Sequence, residues 1–112
     1  MRWLTLKEIH ACASDKEALI CSIKHWKQIR RTSWKELKRG VYYDKVHYTG
    51  KFCALCQRAP FVCPLKGRKC NGLYCVPEWT KVQTFVYYKI FGERVRECNE
   101  KITEFIKFLE SK

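Results

Sequence analysis

The sequence predicts a small, mainly α domain of three to five helices, interrupted in the middle by an irregular loop. Three observations lead there. Apolar residues recur at helical spacing in the first and last thirds, and serine-led capping signatures punctuate the first third. Residues 51–77 then collect five of the eight cysteines, all three prolines and two of the five glycines. A chain of 112 residues has room for one core. The expectation is therefore a single domain, 1–112, with N-terminal helices in 1–50, the loop in 51–77 and C-terminal helices in 78–112.

Thr5 suits the N-cap of a first short helix running to about Ala13, with Leu6, Ile9 and Ala13 on one side. Ser14-Asp-Lys-Glu17 has the form of a capping box, in which serine and glutamate each satisfy an orphan backbone N–H. The helix it opens spans roughly 15–31, with Leu19, Ile23 and Trp26 on one face at 100° per residue. Ser33-Trp-Lys-Glu36 repeats the signature and Gly40 offers a stop, so 34–39 is a short helix or a continuation of the one before.

From Val41 to Tyr48 the residues turn β-branched and aromatic. Asp44-Lys45 fits the turn of a short β-hairpin, and an extended loop fits equally well. After Glu78 the helical period returns. Trp79, Val82, Val86 and Ile90 form one stripe, and Val95, Cys98, Ile102, Phe105 or Ile106, and Leu109 form another. These make two helices, or one helix bent near Gly92, packed on the N-terminal pair.

The central cysteines carry the chemistry. Cys53-Ala-Leu-Cys56 is the spacing at which two thiolates turn back onto one ion, and Cys63, Cys70 and Cys75 follow. Four sulfurs at ~2.3 Å complete a tetrahedral Zn²⁺ shell. Cys53, Cys56 and Cys63 are the first three ligands, with Cys70 or Cys75 as the fourth; His47 is a weaker candidate. Lys51, Arg58, Lys66, Arg68 and Lys69 surround them, and nearby cations favour the thiolate. One structural zinc would order a segment with little apolar content, because binding free energy becomes folding free energy. Disulfides in a secreted protein are the competing use of eight cysteines. Lys7, Glu8 and His10 interrupt the opening segment, which makes it a poor signal peptide, and no stretch approaches the ~18 apolar residues of a membrane span. The expectation is a cytoplasmic metal site with no membrane partner, while Cys12, Cys21 and Cys98 in the helical stretches serve as small core residues.

Several of these motifs together resemble a group of small phage and prophage proteins. They are Glu17-Ala-Leu, Ser22-Ile-Lys-His-Trp26, Cys53-Ala-Leu-Cys56-Gln, Cys63-Pro-Leu and Glu104-Phe-Ile-Lys-Phe-Leu109. The likeness covers about the whole chain through short motifs. It implies a phage origin, a bacterial cytoplasmic setting and zinc on the cysteines; it supplies no activity. Relatives often carry a cysteine three residues before the Cys-Pro-Leu cysteine, where this chain has Pro60.

Nothing in the motifs points to an enzyme. A shell of four cysteines is closed, whereas catalytic zinc keeps an open position beside a general base. HExxH, a phosphate-cradling glycine loop and a nucleophile elbow are all lacking. His25, beside Trp26, reads as a packed histidine at a helix interface.

Charge points to binding. The formal net charge of +12 divides as +7 over 1–52, +4 over 53–77 and +1 over 78–112, and such an excess suits nucleic acid or an acidic partner. Were the helix from Asp15 to continue through Lys38, then Lys24, Lys27, Arg31, Lys35 and Lys38 would share one arc able to track phosphates. Lys66, Arg68 and Lys69 would extend it. Tyr42, Tyr43, Tyr48 and Tyr74 are candidate stacking residues, or else core residues. The expectation is a zinc-binding accessory protein that binds nucleic acid, with a protein-interaction module acting on a host protein as the alternative. A homodimer through the C-terminal helix is a further expectation.

Overall fold

The computed structural model describes residues 3–43, 45–46 and 76–112. Among the described residues there are five helices and no strand: α1 (Leu6–His10), α2 (Asp15–Arg31), α3 (Trp34–Tyr42), α4 (Pro77–Lys89) and α5 (Val95–Glu110). The mainly α class is as expected. Of the expected hairpin over 41–48, Val41 and Tyr42 instead end α3, and Tyr43, Lys45 and Val46 form no strand, while Asp44 and residues 47–48, like the cysteine loop from 51 to 75, lie outside the described residues.

Each N-terminal helix starts where a hydroxyl takes up an orphan N–H. Thr5, Ser14 and Ser33 accept from the backbone N–H of Glu8, Glu17 and Glu36 respectively. At α2 the Glu17 carboxylate reaches one residue further back than a standard capping box, accepting from Ala13 N–H at 2.6 Å. α1 is shorter than expected, ending at His10 with Ala11 as its cap.

The structure decides one open alternative at α3 and overturns one expectation. The chain leaves the helix at Thr32 (φ −75°, ψ 140°), so α2 and α3 are separate helices. Gly40 is no stop, since Val41 and Tyr42 complete α3. Gly40 is there for closeness: a Cβ on it would sit 2.6 Å from Cγ1 of buried Val46. Its carbonyl accepts from the N–H groups of Lys45 (2.7 Å) and Val46 (3.2 Å), folding the chain back on the end of α3.

α4 begins at Pro77, one residue inside the expected loop, because proline at the first helical position has no N–H to leave unpaired. It ends in a Schellman motif. Glu93 N–H donates to Tyr88 O and Gly92 N–H to Lys89 O, with Gly92 left-handed at φ 74°. The chain therefore bends where expected, as two helices rather than one.

α5 makes its largest helix contacts with α4 and α2. One cluster of buried residues runs through Ile9, Trp26, Ile29, Leu37, Val82, Val86, Ile102, Phe105 and Leu109, so all five helices contribute. The α4 and α5 stripes are those expected. On α2 the buried face is rotated: Ala18, Ser22, His25, Trp26 and Ile29 are buried, whereas Leu19 and Ile23 are only half-buried at its flank.

Candidate nucleic-acid interface

The rotation of α2 decides where its cations point. With its buried stripe centred near Ser22 and Ile29, the opposite side of the cylinder carries Ile20, Lys24, Lys27 and Arg31, about 180° away at 100° per residue. All four are exposed. Both acids of α2, Asp15 and Glu17, sit in its first turn, where the helix dipole favours them, and Arg30 and Arg31 occupy the last turn. Beyond the first turn the outer face therefore carries cations and no acid.

α3 repeats the pattern at smaller size. Leu37 and Gly40 are buried, and the opposite face carries Lys35, Lys38, Arg39 and Tyr42, all exposed. Because the helix breaks at Thr32, the five cations expected on one arc form two faces on two helices. At the break Thr32 closes the last turn of α2, its N–H donating to Gln28 O at 3.1 Å and its hydroxyl to the same carbonyl at 2.7 Å, and Ser33 caps α3.

Arg30, next to Arg31 in sequence, has a different use. Its guanidinium donates to the Thr103 hydroxyl on α5 at 3.1 Å. Lys66, Arg68 and Lys69 lie outside the described residues, as do Tyr48 and Tyr74. Tyr42 and Tyr43 are 80% and 62% exposed, which places both rings in solvent rather than in the core.

Aromatic side chains that the sequence reading passed over adjoin the α3 face. The Lys38 ammonium lies 5.7 Å from the Phe91 ring centroid, and Phe91 meets Tyr87 edge-on at 5.3 Å. The Lys35 ammonium lies 5.7 Å from the Trp34 ring, and Arg94 lies 5.0 Å from that of Tyr88. The available signal was Tyr87-Tyr88-x-x-Phe91, aromatic positions off the buried stripe at the end of a helix.

The chain matches no family model, no curated protein and no solved structure.

The metal candidates Cys53, Cys56, Cys63, Cys70 and Cys75, with His47, all lie outside the described residues. Among the described residues no group of three or more His, Cys, Asp or Glu side chains is placed to hold a metal ion. Cys12, Cys21 and Cys98 do pack on the core, although Cys12 lies between α1 and α2 rather than in a helix. Cys98 is fully buried, and burial pushes its thiol up to about 11. Cys21 is pushed up to about 12, first by burial and then by the Cys12 thiol beside it. His25 is buried with its ring edge-on to Trp26. No described helix is long and apolar enough to cross a membrane.

One buried cation stands apart from the surface set. Lys89 on α4 is fully buried, and its ammonium donates to Ile29 O (2.9 Å), Arg30 O (3.2 Å) and Asn99 Oδ1 (2.8 Å). Those carbonyls belong to the last turn of α2, where no backbone partner remains within the helix. Desolvation lowers the Lys89 pKa, while the neighbouring Cys98 pulls it the other way.

Proposed function

We propose that this chain is a small accessory protein that binds nucleic acid through a basic surface and is stapled by one structural zinc ion. The observation that carries the binding half is the pair of outward helix faces, Lys24, Lys27 and Arg31 on α2 and Lys35 and Lys38 on α3. Each lies opposite a buried stripe, in a chain of net charge +12. Cations that face water and leave the core undisturbed are what a phosphate-tracking surface requires, since each neutralised phosphate releases counterions. Lys66, Arg68 and Lys69, basic by sequence, are proposed as further phosphate contacts.

The zinc half rests on the Cys53-x-x-Cys56 pair with Cys63 and either Cys70 or Cys75. The resemblance to small phage proteins adds a bacterial cytoplasmic setting to the proposal.

A salt titration of the whole protein against labelled DNA and RNA, single- and double-stranded, tests the binding half. The expected result is an affinity that falls steeply with salt, together with a shallower slope after charge reversal at Lys24, Lys27 and Arg31. Affinity indifferent to both salt and charge reversal overturns it. Absence of binding to all four probes transfers the basic surface to a host-protein partner, to be sought after nuclease treatment.

A further inference from the structure

The described residues expose five large hydrophobic side chains to half or more of their surface: Ile20, Tyr42, Tyr43, Tyr87 and Phe91. Four of the five are aromatic, and their setting is specific. Tyr42 lies on the outward face of α3 with Lys35 and Lys38, its Cα one turn beyond that of Lys38. Lys38 in turn lies over Phe91, and Phe91 touches Tyr87. Tyr87 adjoins Tyr88 with ring centroids 6.1 Å apart, and the Arg94 guanidinium lies over Tyr88. A run of three rings, Phe91, Tyr87 and Tyr88, thus spans the end of α4, with Lys38 of α3 at one end and Arg94 at the other.

Resting on the nucleic-acid reading above, we infer that this α3–α4 surface selects single strands, with the Tyr87, Phe91 and Tyr42 rings stacking on unpaired bases while Lys35, Lys38 and Arg94 take the phosphates.

Three physical points favour that occupant. An aromatic ring half in water leaves apolar area unburied. A base, whose π-face is available only when unpaired, covers such a ring by stacking on it. Cations border the ring cluster at both ends, Lys38 at Phe91 and Arg94 at Tyr88, so phosphates on either side of stacked bases would meet a positive charge. A duplex offers phosphates without free base faces, so it would engage the cations and leave the rings wet.

Two fixed contacts hold the surface together. Trp34 packs over the α4–α5 turn so closely that a Cβ on Gly92 would stand 3.2–3.3 Å from its indole. The Schellman hydrogen bonds fix Phe91 at the helix end. The rings therefore stand on helix ends and need no large rearrangement to accept a base. Glu93 is exposed in the same turn, next to Arg94. Removal of Glu93 should tighten binding.

The test compares the wild type with Tyr87→Ala/Phe91→Ala, Tyr87→Phe/Phe91→Trp and Lys35→Glu/Lys38→Glu. The probes are labelled oligo-dT, oligo-rU and a mixed-sequence DNA duplex. The expected wild-type result is preference for the single strands. Loss of the two rings should weaken single-strand binding by about tenfold or more and collapse the preference over duplex. The aromatic replacements should restore both, and the charge-reversed protein should lose affinity for all three probes with a shallower salt slope.

Equal wild-type affinity for duplex and single strands, with no effect of ring removal on the ratio, overturns this inference and leaves the basic-surface reading standing. Failure of every probe to bind overturns both. Melting curves for each variant exclude unfolding as the cause of a loss, and the aromatic replacement separates stacking from packing should the alanine protein be destabilised.

Discussion

At the scale of single residues, Lys89 carries the largest energetic consequence. A fully buried ammonium is costly unless every proton finds an acceptor, and here three acceptors are present, two of them the terminal carbonyls of another helix. Lys89→Met keeps the bulk of the stem but leaves Ile29 O, Arg30 O and Asn99 Oδ1 without that donor. The expected cost is about 1–3 kcal/mol in chemical denaturation, in spite of the desolvation the change relieves. Burial acts on Cys98 in the opposite direction. Its thiol rises from 9.0 to about 11 in the folded protein, so between those values the unfolded chain releases a proton that the folded one retains. The stabilisation is full below about pH 9 and is lost as pH climbs to about 11, on the order of 2–3 kcal/mol. Lys89, with its pKa lowered, tilts stability upward with pH and partly opposes that decline. Urea titrations from pH 8 to 11 should show the fall, and Cys98→Ala should make it shallower, leaving the share that the raised Cys21 thiol contributes.

At the scale of elements, the ends of helices explain more than their middles. Ser14 and Ser33 are legible as caps because the hydroxyl and the glutamate three residues on are a local pair, independent of tertiary structure. The stripes of α4 and α5 were legible for a similar reason: bulky apolar residues at every third or fourth position leave one face to bury. α2 was misjudged by about a fifth of a turn, because its buried face includes Ser22, His25 and Gln28, which hydropathy alone assigns to water. Gln28 accepts from Leu4 N–H at 3.2 Å, a partner 24 residues away that no local window reveals. Gly40 misled likewise, since its role depends on Val46 approaching from outside the helix. Gly92 was read correctly as a bend, and it has two reasons to be glycine: a positive φ and the Trp34 ring against its Cα hydrogens. Gly92→Ala should cost about 1–2 kcal/mol, read as a lowered melting temperature. It should also reduce single-strand affinity, because Phe91 and Trp34 lose their seating.

At the scale of the molecule, the basic surface and the cysteine segment answer to separate tests. Under the zinc proposal, Cys53→Ser or Cys56→Ser should lose metal and stability, whereas Cys12→Ser should keep its metal. Undiminished metal content in the first two proteins, assayed by atomic emission, would remove the assignment. The candidate site was half legible from sequence. Net charge and exposed lysines appear in any composition count, but the proximity of Lys38 to Phe91 joins residues 53 positions apart and depends on how α3 meets the α4–α5 turn. Spacing within one helix carries no information about that meeting.

Val46 and Val76 are both buried in the common core, at 1% and 8% exposure. The chain between them therefore starts and finishes at anchored points, and the helices bear the entropy of closing that circuit. Under the zinc proposal, ligands strung along it would meet at an effective concentration that the helical core sets. Metal affinity and helix stability are then linked quantities: a substitution such as Lys89→Met, far in sequence from every cysteine of the segment, should weaken zinc retention as it loosens the core, and added zinc should raise the melting temperature of the whole.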